Sequence, residues 1–97
     1  MNDIVDNAAK SRYELTRDGQ TAELEYAIKG DRIVLLHTEV PNALGGQGIG
    51  GELVDAAVQR ADRDGLTIVP LCPYVRRWIE KHPDRVGAVA IDWTGRR

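Results

Sequence analysis

Hydrophobic and polar residues alternate along the first third of the chain, and this alternation predicts antiparallel β-strands. Residues 12–17 alternate one by one and end at a tight turn formed by Asp18 and Gly19. Residues 21–29 repeat the alternation, so each strand is expected to bury one face and to present the other to water. Residues 32–40 are apolar on both faces at their start, which predicts a central strand.

The third predicted strand carries two candidate catalytic side chains. Strict alternation places His37 and Glu39 on one face, together with Ile33 and Leu35. Pro41 is expected to end the strand because it has no N–H to donate to a neighbouring strand. His37 and Glu39 are therefore expected to point in the same direction.

A glycine-rich turn, residues 44–51, follows this strand and leads directly into an amphipathic helix. Four of the six residues from Gly46 to Gly51 are glycine, which permits positive φ angles and leaves the backbone accessible. Helical spacing of apolar residues predicts the helix over residues 49–64, and Gly65 is placed to end it. The first N–H groups of a helix have no partner within it, so the turn is interpreted as a phosphate-binding cradle. The alternative is a flexible surface loop.

The second half of the chain predicts a strand parallel to the third, followed by another helix. Residues 66–71 are apolar, and the intervening helix makes the connection a right-handed crossover. Pro70 lacks an N–H, so this strand is expected to lie at an edge or to splay from its neighbour and leave a cleft. The second helix is expected over residues 74–81, ended by His82 and Pro83.

Composition and charge set limits on the class of protein. The chain has 97 residues, enough for one domain, which we assign to residues 11–97; residues 1–10 are interpreted as a flexible leader. The structure of residues 85–97 is left open. The net charge is -2 and the 13 basic residues are dispersed, which argues against nucleic-acid binding. An apolar run of about 18 residues is absent and the chain has one cysteine, so we expect a soluble, cytoplasmic protein without membrane contact.

The glycine loop matches two well-known phosphate-binding motifs poorly. Residues 46–51 satisfy GxGxxG, but a dinucleotide fold needs an acidic residue at the end of the next strand, where this chain has Val69, Pro70 and Leu71. A Walker loop needs Lys followed by Ser or Thr after the glycines, and the chain has neither there. The motif alone therefore does not identify the ligand.

The region instead resembles the GNAT superfamily of acetyl-CoA-dependent N-acetyltransferases. Their motif is Gln/Arg-x-x-Gly-x-Gly/Ala, and Gly48-Ile49-Gly50 matches its second half, whereas Gly45 stands at the Gln/Arg position. The resemblance extends to a group of very small GNAT-like proteins through residues 37–40, residues 69–75 and the pair His82-Pro83.

This resemblance implies an α+β fold with a mixed sheet, in which antiparallel strands precede the crossover and a second helix follows it. Acetyl-CoA would lie between the splayed strands, with its pyrophosphate on the glycine loop and its pantetheine arm beside the third strand. The implied cofactor-binding residues are Glu39, Val40, Gly46, Gln47, Gly48, Ile49, Gly50, Gly51 and Tyr74. No metal site is expected.

The same resemblance makes Cys72, His37 and Glu39 the candidate catalytic residues. Cys72 stands where the thioester should lie, at the start of the second helix, so it could form an acetyl-cysteine; alternatively it is a small buried hydrophobic residue and transfer is direct. His37 would be a base or a histidine satisfied by a backbone carbonyl, and Glu39 a proton relay or a solvated carboxylate. Tyr74 could protonate the leaving thiolate.

Two functions stay open at this stage. One is an acetyltransferase that acts on an amine of a small molecule or a protein, with an open acceptor side because Asp18 and Gly19 form a tight turn where larger members insert helices. The other is a non-catalytic acyl-CoA-binding module.

Overall fold

A computed structural model describes residues 4–95 of the chain. Its strands are β1 (Val5–Asn7), β2 (Arg12–Arg17), β3 (Gln20–Lys29), β4 (Arg32–Glu39) and β5 (Thr67–Pro70). Its α-helices are α1 (Ile49–Asp64), α2 (Pro73–Lys81) and α3 (Pro83–Val86), and single 3₁₀ turns cover Ala8–Lys10 and Asn42–Leu44.

The strands form one mixed sheet in the order β1-β2-β3-β4-β5. The first four pair antiparallel, and β5 pairs parallel to β4 after the crossover through α1. Asp18 and Gly19 both have positive φ angles, 53° and 74°, as a tight hairpin between β2 and β3 requires. The predicted α+β fold, its central strand and its crossover are confirmed.

The helices cover one face of the sheet and enclose a single hydrophobic core. Side chains of β2 to β5 pack there against the apolar stripes of α1 and α2. The fully buried large residues in this cluster are Leu15, Leu24, Ile33, Leu35, Leu44, Ile49, Leu53, Val54, Ile68 and Val75. The helix α1 has the bounds that its apolar spacing predicts, and Gly65 ends it in the left-handed region at φ 67°.

Residues 4–10 differ from the predicted flexible leader. Val5–Asn7 forms β1, an additional antiparallel strand at the edge of the sheet beside β2. The Tyr26 hydroxyl donates a hydrogen bond of 2.5 Å to Asp6 Oδ1, and Arg60 Nη1 lies 3.2 Å from the other oxygen of Asp6. Polar contacts therefore hold a segment that has too few apolar residues to be recognised as a strand. Met1, Asn2 and Asp3, the rest of the predicted leader, lie outside the described residues.

A β-bulge in β4 corrects the predicted facing of its second half. Tyr26 of β3 pairs with Leu35, but the preceding residue Glu25 pairs with His37, so Leu36 is an extra residue in β4. Paired residues of antiparallel strands share a face. His37 therefore lies on the face opposite Leu35, as does Glu39, and Thr38 takes the core face.

The segment after α3 packs along the outer edge of β5. Ile91 forms an isolated parallel bridge with Ile68, and the Asp92 N–H donates to Ile68 O at 2.8 Å. Arg32 Nη1 and Asp92 Oδ2, 2.5 Å apart, form an ion pair that holds this segment to β4. Of residues 85–97, which the sequence left open, those up to 95 thus add one bridge rather than a sixth strand. Among the helices of residues 4–95, none combines the length and apolar character needed to cross a bilayer.

Candidate active site

The parallel pair β4 and β5 separates after four residue pairs and opens a cleft. The last pair joins Leu35 to Pro70. The N–H groups of Leu71 and Cys72 both donate to Leu35 O, at 3.0 and 3.1 Å, and the chain then turns into α2. Beyond this point residues 37–39 of β4 pair only with β3. Of the two arrangements predicted for the strand that contains Pro70, the edge position is confirmed, because β5 is the last strand in the sheet order.

A cavity of about 320 Å³ occupies this cleft, within the size range of small-molecule sites. Its walls come from the end of β4, the glycine loop and the start of α2. The lining residues are Thr38, Val40, Leu44, Gly45, Gly46, Gly48, Ile49, Gly50 and Tyr74. Six of the residues predicted to bind cofactor therefore surround one cavity; Glu39, Gln47 and Gly51 do not line it.

Gly46 and Gly48 give the loop its conformation. Their φ angles are 79° and 74°, a region that other residues enter only with strain, and a Cβ built on either would meet no atom within 4 Å. Gly48 is the N-cap of α1, and the first helical hydrogen bond runs from the Glu52 N–H to Gly48 O at 3.1 Å. Within residues 4–95, the N–H groups of residues 48–51 have no acceptor. Four unpaired donors at a helix N-terminus can bind an anion.

Gly50 and Gly51 also serve the packing of α1 on α2, in addition to the role in the cradle that the sequence predicts for them. A Cβ on Gly50 would lie 2.7 Å from the Tyr74 hydroxyl oxygen, and one on Gly51 would lie 2.6 Å from Trp78 Nε1. Both distances are too short for a carbon atom. The two glycines are therefore required because aromatic side chains of α2 lie against the first turn of α1.

Cys72 is the N-cap of α2, directly after the end of β5, and it is 6% exposed. Its Sγ lies 3.5 Å from Thr38 Oγ1, on the cleft side of β4. Burial raises the pKa of the Cys72 thiol, but the Thr38 hydroxyl and the nearby backbone N–H groups of Val75 and Tyr74 lower it by more. The net effect is a pKa below the ordinary thiol value, which favours the thiolate.

His37 and Glu39 form a pair on the other face of β4. His37 Nε2 and Glu39 Oε1 are 3.0 Å apart, and the side chains are 58% and 66% exposed. The hydrogen bond to Glu39 raises the pKa of His37 more than desolvation lowers it, and the charge of Glu25 adds to the increase. The predicted common direction of the two side chains is confirmed. The thiol of Cys72 faces Thr38, not His37.

Two residues near the site were not predicted from the sequence. Thr38 has no predicted role, and the bulge places it on the core face of β4, with its hydroxyl 3.5 Å from Cys72 Sγ. Arg17, at the end of β2, reaches the glycine loop and donates to Gln47 Oε1 at 3.3 Å. The two are 30 residues apart in the chain, and no local pattern links them. Within residues 4–95, no group of three or more His, Cys, Asp or Glu side chains could hold a metal ion.

Comparison with known proteins connects this geometry to a family. The model of the GCN5-related N-acetyltransferase family matches residues 12–88. The chain belongs to this family. Its match covers the sheet from β2 onward, the glycine loop, both long helices and Cys72, so all the candidate residues lie within the family's domain.

Related proteins and a solved structure support the assignment to the GCN5-related N-acetyltransferases. Protein NATD1 from Gallus gallus and from Homo sapiens are each 38% identical over 63 residues, which is 64% of this chain. The matched region spans only 57% and 56% of those relatives. The solution structure of a GCN5-like protein from Staphylococcus aureus superposes with a TM-score of 0.70 at 25% identity, covering 97% of this chain and 96% of that one.

Proposed function

We propose that this chain transfers an acetyl group from acetyl-CoA to an amine acceptor. The observation that carries the proposal is a cavity with the unpaired N–H groups of residues 48–50 on one wall and Thr38 on another, where the Thr38 hydroxyl lies 3.5 Å from the thiol of Cys72. A ligand with an anionic centre and an extended arm that ends in a reactive thioester suits this cavity. Membership of the GCN5-related N-acetyltransferases supports the same reaction.

Each part of acetyl-CoA has a matching part of the site. The pyrophosphate would accept hydrogen bonds from the loop, residues 46–51, with Arg17 close enough to add a positive charge. The pantetheine arm would lie along Glu39 and Val40, where β4 has lost its pairing with β5 and its backbone groups need a partner. The thioester would then lie near Cys72 and Tyr74.

The low thiol pKa supports a covalent role for Cys72. The thiolate attacks the thioester carbonyl carbon, a new C–S bond forms to Cys72, and the bond to the CoA sulfur breaks. The departing CoA thiolate takes a proton, for which the Tyr74 hydroxyl on the cleft wall is the candidate donor. A neutral amine then attacks the acetyl-cysteine, forms the amide, loses a proton and releases the Cys72 sulfur.

His37 and Glu39 would act on the acceptor rather than on the thiol. They lie on the exposed face of β4, opposite the face that carries Thr38. Neutral His37 could accept the proton that the amine loses, and Glu39 would hold the imidazole in place. The acceptor is an amine of a small molecule or of a protein.

The covalent step can be tested by mass spectrometry and turnover together. Wild-type protein incubated with acetyl-CoA and no amine is expected to gain one acetyl group on Cys72, and the Cys72→Ala variant is not. With an amine panel, Cys72→Ala should lose turnover and still bind acetyl-CoA. Unchanged turnover in Cys72→Ala would exclude the covalent role, and turnover without acetylated wild-type protein would favour direct transfer.

A non-catalytic acyl-CoA-binding module is the second candidate, and one observation favours it. Within residues 4–95 the thiol of Cys72 has a hydroxyl partner, Thr38, and no imidazole beside it. Such a module would bind acetyl-CoA and transfer nothing. Thermal stabilisation of about 2.7 kcal/mol at 100 times the Kd, with no product from any amine, would identify it.

A further inference from the structure

A second groove adjoins the cleft on the far side of the first turn of α1. Its volume is about 570 Å³, and it lies between α1, α2 and the start of α3. The groove and the cleft share two residues, Gly48 and Tyr74. The unpaired N–H groups of residues 48–51 therefore lie at the junction of two cavities, and a ligand bound at these groups can extend into both.

Two flat rings line this groove and are held in a stack. The rings of Trp78 and His82 have centroids 4.3 Å apart and planes inclined by 21°. His82 Nδ1 lies 2.7 Å from Trp78 O, which fixes the imidazole relative to α2. Gly51 provides the space for the indole, because a Cβ there would lie 2.6 Å from Trp78 Nε1. The stack is thus formed before any ligand binds.

The charges in the groove suit a neutral ring better than a phosphate. Among residues 4–95, Arg85 is the only arginine that lines it, and its guanidinium already binds Asp55 through contacts of 2.6 and 3.2 Å. Glu52 lines the same groove and adds a negative charge. A free anion would meet two carboxylates and one neutralised cation, whereas an uncharged aromatic ring would meet the stacked side chains.

The direction of α2 places this groove away from the proposed reaction centre. Cys72 caps the N-terminus of α2, and Trp78 follows six residues later, about 9 Å along the helix axis at 1.5 Å per residue. His82 lies at the other end of the helix. A ligand with its thioester at Cys72 and its pyrophosphate at residues 48–51 would therefore direct its remaining part, the nucleoside, toward the groove.

We propose that Trp78 and His82 bind the adenine ring of CoA by stacking in this groove, with the 3′-phosphate of the ribose left in solvent outside it. The inference rests on the proposed function, because it assumes that the pyrophosphate lies on residues 48–51. These two residues would raise the affinity for CoA and recognise its nucleotide end, and they would take no part in the chemical step. Stacking of a base on an aromatic side chain changes affinity by about 5-fold to 100-fold.

The test compares CoA with 4′-phosphopantetheine, which lacks the 3′-phosphoadenosine 5′-phosphate part of CoA, in calorimetric titrations of two tryptophan variants. Trp78→Leu removes the proposed stacking surface. Trp93→Leu is the matched control, since Trp93 is 40% exposed, packs against Arg76 and does not line the groove. We expect Trp78→Leu to weaken the binding of CoA at least 5-fold and to leave the affinity for 4′-phosphopantetheine unchanged. Trp93→Leu should change neither affinity. Trp78→Phe should restore most of the CoA affinity.

A fluorescence titration keeps the test valid if Trp78→Leu does not fold. In the Trp93→Phe variant Trp78 is the only indole of the chain, so CoA should quench its emission and 4′-phosphopantetheine should not. Equal affinity of the wild type for the two ligands, or equal quenching by both, would overturn this inference alone. Failure of both ligands to bind the wild type would overturn the proposed function as well.

Discussion

Replacement of Gly51 by alanine tests whether this glycine serves helix packing. The new methyl group would lie 2.6 Å from Trp78 Nε1 and 3.2 Å from its Cδ1, so the indole must move away from α1. This movement would also disturb the stack of Trp78 on His82. The substitution thus has two opposing effects on stability: a gain in helix propensity and a loss of packing.

The expected magnitudes follow from these two effects. Alanine is more favourable than glycine in a helix by up to about 1 kcal/mol. Forcing an extra carbon into packed side chains destabilises by about 1–3 kcal/mol. Gly51→Ala should therefore lower the free energy of unfolding by about 0–2 kcal/mol, and each kcal/mol corresponds to about 4–8 °C in Tm for a domain of this size.

A double-mutant cycle isolates the packing contribution. In a Trp78→Ala background the methyl group meets no indole, so Gly51→Ala should stabilise by about 0.5–1 kcal/mol. Urea unfolding of the four proteins, followed by circular dichroism, measures the difference. Gly50→Ala is the control, because its methyl group would meet Tyr74 and its effect should not depend on Trp78.

Equal effects of Gly51→Ala in the two backgrounds would refute the reasoning. If the stability effects of Gly51→Ala and Trp78→Ala add within about 0.3–0.5 kcal/mol, the residues at positions 51 and 78 do not interact. Gly51 would then be explained by its predicted role in the phosphate-binding loop.

Three further predictions concern the loop and the two titratable groups of the site. Gly48→Ala should destabilise by about 1–2 kcal/mol in urea unfolding, because φ is 74° there and alanine is strained even without a clash. In an NMR titration the pKa of His37 should lie above the ordinary histidine value of 6.5, and Glu39→Gln should lower the pKa of His37. An unchanged pKa in Glu39→Gln would exclude the carboxylate as the cause. The alkylation rate of Cys72 should rise with pH at a midpoint below that of an unperturbed thiol, and Thr38→Val should shift the midpoint upward.

The sequence predicted most of the fold because its patterns are local. Apolar spacing and Gly65 determine the bounds of α1, and the missing N–H of Pro70 suits its place at the end of the edge strand β5. The resemblance carried by residues 48–50 and 69–75 indicated the family. Each of these signals depends only on neighbours in the chain.

The corrections have non-local causes. The bulge at Leu36 adds one apolar residue to an apolar strand, so the alternation gives no sign that His37 changes face. The packing role of Gly51 depends on Trp78, which lies against it. The edge strand β1 depends on contacts with residues at positions 26 and 60, which the composition of the first residues does not indicate.

The most direct test of the proposed binding mode is amide chemical-shift mapping with acetyl-CoA. This binding mode predicts the largest shifts at the N–H groups of residues 46–51 and at Glu39, Val40 and Cys72, from the loop to the thiol. ATP at the same concentration should shift the loop and leave Cys72 unchanged. Largest shifts outside these residues, or no shift at saturating acetyl-CoA, would contradict this binding mode.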